Sequence, residues 1–182
     1  MESYEIFKQA DDLVRQCTSR KPEQIAQELG ICIFYEEAFK DLLGMYTFRW
    51  NHRLMFLNPK IEGRLKDMVI AHEIGHDQRH RNLAKAGKAL KEFSLFSMKD
   101  NTEYEANAFA SHILLENDRV YSLAKEGYDV FTISQIMGSD VNLMLIKMQE
   151  MNKLGYDFTV TLEHDSRFFR NIKGRNLPNC EQ

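Results

Sequence analysis

Several protein classes are excluded by what this chain lacks. It has no run of about 18 or more apolar residues, so no helical membrane span is expected. Its start, Met1-Glu2-Ser3-Tyr4-Glu5, is acidic and has no apolar stretch behind a basic beginning, which is unlike a secretory signal. The three cysteines, Cys17, Cys32 and Cys180, are widely separated and form no Cys-x-x-Cys pair. They read as reduced thiols of a cytoplasmic protein, with Cys180 a tail thiol. The formal net charge of -3 offers no general basic field for nucleic acid. There is no internal repeat and no low-complexity segment.

What remains is an ordinary globular composition. The 182 residues are 43% hydrophobic and 28% charged, enough for one packed core with a small appendage. Tyr4 to Cys17 carries Ile6, Phe7, Ala10, Leu13, Val14 and Cys17 at helical spacing. Pro22 opens a short helix through Leu29, and Gly30 ends it. Ile31–Tyr35, Gly44–Phe48 and Arg53–Leu57 read as three short strands, with Trp50-Asn51-His52 as a connecting turn and Asn58-Pro59 closing the region. Together they predict a small sheet, and the two strands from Gly44 to Leu57 are expected to offer an edge for an extended peptide.

A long helix is predicted from Ile61 to about His80, with Leu65, Met68, Val69, His72 and His76 along one side. Residues 87–99 give no clear signal. A second strong helix begins near Asn101 or Thr102, with Glu105 placed for a capping box from Thr102. Further helices are expected over Arg119–Lys125, Thr132–Met137 and Val141–Leu154, followed by a loosely structured tail. The division expected is residues 1–118 as one domain and 119–182 as a C-terminal helical region.

Chemistry concentrates in His72-Glu73-Ile74-Gly75-His76. Residues four apart on a helix are separated by about 40° around the axis and about 6 Å along it. Two imidazoles so placed converge on one ion, and the carboxylate after the first stands beside it, within reach of the attacking water. His72 and His76 are therefore the expected ligands of one zinc ion per chain, with Glu73 as general base. Gly75 removes a side chain where another backbone approaches. A catalytic zinc commonly takes a third protein ligand. His80 extends the row, but three histidines at successive fourth positions span about 12 Å and cannot share one ion. It is expected to pack beside the ligands. Glu103 and Glu105 compete for the third place and point roughly 200° apart. Ala106, Asn107, Ala110 and Leu114 share the side of Glu103, which turns Glu103 inward and leaves Glu105 to solvent or the helix cap. Asn107, one turn on, is placed to hydrogen-bond a histidine ligand.

His-Glu-Ile-Gly-His followed by Glu103-Tyr104-Glu105-Ala106-Asn107-Ala108-Phe109-Ala110 and Leu114-Leu115 resembles the ImmA/IrrE family of metallopeptidases. The similarity covers about Tyr4 to Leu115, and more weakly extends to Leu154. It departs from the family where Glu116-Asn117 stands in place of a frequent Met-Pro, which affects only the local helix end. The resemblance implies an α+β, zincin-like core, mostly helical, with a small sheet beside the active-site helix. It also implies the ligand set His72, His76 and Glu103 with Glu73 as base. The implied activity is a zinc metalloendopeptidase acting on a specific protein, a helix-turn-helix repressor of a mobile element or stress response. The alternative is a zinc-containing regulatory module that acts by contact with little proteolysis.

Two further readings come from the residues. An oxyanion donor is needed besides the metal, and Tyr46, Tyr104, His112 and His164 all remain open for it. Phe131 to Leu154 resembles a helix-turn-helix pair, yet its second helix carries only Lys147 and Lys153 against Asp140 and Glu150. A packing unit is therefore expected rather than a DNA reader. Arg167, Arg170, Lys173 and Arg175, interleaved with Phe168 and Phe169, read as a basic tail.

Overall fold

Short apolar strands and amphipathic helices alternate along the first two thirds of the chain, and the computed structural model assembles them into an α+β fold. It describes residues 2–87, 89–92 and 100–158. In chain order the elements are α1 (Glu2–Cys17), α2 (Pro22–Glu28), β1 (Ile31–Tyr35), β2 (Gly44–Arg49), β3 (His52–Leu57), α3 (Gly63–Lys85), β4 (Leu90–Glu92), α4 (Asn101–Leu114), α5 (Asn117–Lys125), α6 (Val130–Met137) and α7 (Val141–Lys153). Among the described residues no helix is long and apolar enough to cross a membrane.

The sheet is mixed, in the order β1-β3-β2-β4. β1 runs parallel to β3, while β2 is antiparallel to both β3 and β4. The β2–β3 hairpin turns through Trp50 and Asn51, both with positive φ, as a two-residue turn that matches strand twist requires. Three strands were expected, and the fourth is new. Leu90 pairs with Tyr46 and Glu92 with Gly44, so the inner half of β2 is covered. The expectation that Gly44–Leu57 presents a sheet edge is thereby corrected for β3, which is central, and for Gly44–Tyr46 of β2, which β4 covers. Three residues were too short for a periodicity signal to reveal β4.

α3 exceeds its predicted end by five residues. His80 leaves helical geometry (φ -123°, ψ 17°), after which the helix resumes to Lys85. Its middle is buried on all sides: every residue from Val69 to Asp77 is buried, whereas Leu65 is exposed. β2, α2 and α4 all pack against α3, so it behaves as a core helix rather than a one-sided surface helix. One apolar cluster joins α1 and α2 through Ile6 and Ile25 to Met55, Leu57, Ile70, Ile74 and Phe109. A second joins Ala71 and Ala110 to Leu123, Ile133, Leu143, Met144 and Met148. The C-terminal helices thus pack directly on the α3–α4 pair.

The start of α4 also differs from expectation. Asp100 is the N-cap, and its carboxylate accepts from the Glu103 backbone N–H at 3.0 Å. Glu105 therefore sits five residues past the cap, too far for a capping box with Thr102. The predicted loose tail and its basic patch, residues 159–182, and most of the unclear segment at 93–99 lie outside the described residues.

α3 and α4 approach most closely at Gly75. A Cβ placed there would stand 2.8 Å from the Ala106 carbonyl oxygen and 2.9 Å from Ala106 Cα. Both are backbone atoms and cannot swing aside. Gly75→Ala should therefore destabilise the protein by about 2 kcal/mol, although alanine itself favours helix by about 1 kcal/mol. Urea unfolding measures this, and an unchanged midpoint would refute the close approach.

Candidate metal centre

His72 and His76 lie on the buried middle of α3, and Glu103 lies on the first turn of α4. The tight crossing at Gly75 and Ala106 brings the two helices together, so one ligand-type atom from each of the three residues lies within 4.8 Å of the others. His72 Nε2 is 3.3 Å from Glu103 Oε2, and His76 Nε2 is 3.6 Å from Glu103 Oε1. Atoms bound tetrahedrally at about 2.05 Å from one ion stand roughly 3.3 Å apart, so the two histidine–carboxylate distances suit a shared metal ion. His76 Nε2 and Glu103 Oε2 are buried and have no hydrogen-bond partner among the described residues. Groups of this kind are costly to bury unless something binds them.

The outward nitrogens of both rings are held. His72 Nδ1 lies 2.8 Å from Asn107 Oδ1, a contact that needs the proton on Nδ1 and leaves Nε2 a bare lone pair. His76 Nδ1 lies 3.1 Å from His80 Nδ1. With the proton on His76, His80 accepts it and turns its own Nε2–H toward Glu105 Oε2, 3.6 Å away. His80 therefore packs behind a candidate ligand, as its spacing suggested.

Glu105 departs from its expected place at solvent or helix cap. It is buried, with Arg79 Nε and Nη2 each donating at 2.9 Å to Oε2 and Asn101 Nδ2 donating at 2.7 Å to Oε1. The helix-face argument did not foresee that a further face of α4 also meets α3, through Arg79. No local sequence signal marks that contact, since it joins residues 26 apart.

Glu73 is fully buried. Beside it stands the first residue of β2: a Cβ on Gly44 would lie 2.7 Å from Glu73 Oε1 and 2.6 Å from Val69 Cγ1. Gly44 thus gives the carboxylate its room, a role that sequence reasoning missed. Each described oxyanion candidate is engaged elsewhere. Tyr46 is buried and donates to Asp77 Oδ1 at 2.6 Å. Tyr104 donates to Glu150 and accepts from Lys153 Nζ. His112 Nδ1 lies 2.9 Å from Lys147 Nζ. His164 lies outside the described residues.

Charge states follow from this packing. Burial, reinforced by neighbouring His72, lowers the His76 pKa to about 4, with Glu103 opposing. Burial and His76 likewise lower His80 to about 4. Without metal, the folded chain thus keeps His76 and His80 neutral where the unfolded chain protonates them. The unfolded state binds more protons between their ordinary pKa of 6.5 and about 4. Stability of the metal-free protein should therefore fall as pH drops through that window. Urea midpoints measured with a chelator across this range test it, and a flat or rising trend toward acid would contradict it.

The chain is 25% identical over 145 residues to "Uncharacterized immunity region protein 2" of Bacillus phage phi105, covering 79% of this chain and 90% of that protein. Residues 26–138, more than half of the chain, match the IrrE N-terminal-like domain, and that span holds the α3 and α4 residues described above. The chain belongs to the Peptidase_M78 family, the IrrE N-terminal-like peptidases.

Proposed function

We propose that the chain is a zinc-dependent metalloendopeptidase, with one ion held by His72, His76 and Glu103. The observation that carries this is the convergence of His72 Nε2, His76 Nε2 and the Glu103 carboxylate, while Asn107 and His80 occupy the two Nδ1 atoms. Two neutral imidazoles and one carboxylate form a donor set suited to zinc in a hydrolytic site. When bound, the ion supplies Lewis acidity that polarises the scissile carbonyl and acidifies the attacking water.

The chain's own groups do the rest. Glu73 follows His72 and lies beside the cluster without belonging to it. It accepts the proton of the attacking water and returns it to the departing amine, so the reaction begins and ends with a carboxylate. Its burial beside Gly44 keeps bulk water away from that carboxylate. Asn107 and His80 keep the two rings in the orientation and tautomer that present Nε2 inward.

The substrate proposed is a helix-turn-helix repressor. The phage relative is named for an immunity region, and the resemblance seen in the sequence points to regulators that act on such repressors. Within α6 and α7, Lys147 is buried against His112 and Lys153 is bound to Glu150 and Tyr104. This supports a protein target over direct DNA reading by these helices. A cytoplasmic setting suits such a substrate.

Glu73→Gln should keep zinc and fold but lower cleavage by about 10²–10⁴-fold, because only the proton acceptor is lost. The assay incubates the zinc-loaded chain with the helix-turn-helix repressor encoded beside it and identifies fragments by mass spectrometry. Activity within a few-fold of wild type would assign the base elsewhere. Absence of cleavage by the wild type at full zinc occupancy would favour the contact-only alternative.

Glu103→Ala should lose zinc to a chelator far more readily than wild type, since an anionic ligand is removed from a dication. Glu105→Ala should keep the ion but hold it less tightly, by about tenfold, through the unsupported His80 and Arg79. Greater zinc loss in Glu105→Ala than in Glu103→Ala would reverse the ligand assignment.

A further inference from the structure

A cleft of about 370 Å³ opens between the turn joining α2 to β1, the β2–β3 hairpin and the last turns of α3. Phe48, Asn51, His52, Arg53, Arg81 and Lys85 line it, and no lining residue is acidic. None of the residues of the metal centre takes part. His76 and Asp77 are adjacent on α3 but point about 100° apart, so the helix serves the metal cluster on one side and this cleft on another.

The cationic wall is rigid. Behind it, the fully buried Asp77 carboxylate takes Arg81 Nη2 at 2.8 Å on Oδ2 and Arg81 Nε at 3.2 Å on Oδ1. Tyr46 and Gln78 donate to the same carboxylate at 2.6 Å each, and Arg53 Nε stands 3.6 Å from Oδ1. Arg53 Nη1 also donates to the Leu29 carbonyl at 2.7 Å. Both guanidinium groups are thus fixed in position while their side chains stay 27% and 29% exposed. Lys85 Nζ lies 5.1 Å from the centroid of the Phe48 ring, which holds its charge over the same wall.

Arg53 and Arg81 therefore gather around one carboxylate that is already fully engaged, and Lys85 adds a third positive charge at the same cleft. Holding like charges this close costs free energy that a bound anion would recover. The donors are the edges of the two guanidinium groups not turned to Asp77 or the Leu29 carbonyl, an ammonium and an imidazole, from β3 and α3. Such a set suits an anion with several acceptor oxygens and more than one charge, as a phosphoryl group has. The volume lies near the lower end of small-molecule sites, above what a lone phosphoryl group needs, and Phe48 and Asn51 remain to meet the rest of a ligand. We propose that this cleft is a binding site for a small phosphate-bearing molecule. Its wall is pre-organised, so little ordering cost opposes binding.

Inorganic phosphate is the probe. Isothermal titration of the full chain, against chloride at matched ionic strength, should give saturable binding at one site per chain. Lys85→Gln should weaken it about fivefold, the effect of losing one partly exposed charge. Arg53→Lys, which keeps the charge but loses the fork, should weaken it as well. Lys8→Gln on α1, outside the cleft, should leave it unchanged. Lys85 and His52 are exposed, so Lys85→Gln and His52→Gln decide the matter even if the Arg53 variant fails to fold. Phosphate held at the metal centre instead would be indifferent to Lys85. No saturable binding, or binding insensitive to both Lys85→Gln and His52→Gln, overturns the proposal.

Discussion

The close crossing of α3 and α4 at Gly75 and Ala106 is the constraint on which the candidate site depends. Backbone meets side-chain-free backbone there, and a single methyl group would hold the helices apart. Only because they touch does a carboxylate from the first turn of α4 reach the two imidazoles of α3. The same contact brings Asn107 to His72 and Glu105 to Arg79. Ligand-type atoms and their supports thus follow from one packing event, and the apolar clusters on either side of the helix pair fix it in place.

Around that contact the polar groups form two layers. The inner layer is the cluster itself, where burial holds His76 neutral and both imidazoles face the Glu103 carboxyl group. The outer layer sets tautomers: Asn107 acts on His72, while His80 acts on His76 and is backed by Glu105, Arg79 and Asn101. The distortion at His80 belongs to this layer, since a residue held against both His76 and Glu105 departs from regular helical backbone. A ring with its outer nitrogen committed has little freedom to turn, which keeps the inner nitrogens aimed at a common point.

The C-terminal helices extend the core. Lys147 is fully buried on α7, close to the His112 ring, and burial with the nearby Arg20 charge drives its pKa well down. Arg20 in turn donates to the carbonyls of His112 and Ile113, near the end of α4. A residue that reads as a surface cation in sequence therefore serves as an interior link between α4 and α7. α5, α6 and α7 share an apolar cluster with α3 and α4.

Local spacing made much of this legible. The histidine pair, the adjacent Glu73 and the role of Gly75 follow from helical geometry over five residues, and the strands follow from short apolar runs between turn residues. Asn107 and the separation of Glu103 from Glu105 followed from helical faces within one element. Other features joined segments far apart in sequence and had no local signature. These include the β4 pairing that covers β2, the burial of Glu105 by Arg79, the space Gly44 leaves for Glu73, and the Arg53–Asp77–Arg81 wall. The amino-acid sequence by itself determined which side chains share a helix face, because backbone periodicity is a local property. Only the tertiary structure decided which of those faces meet, because that depends on how close two backbones can come.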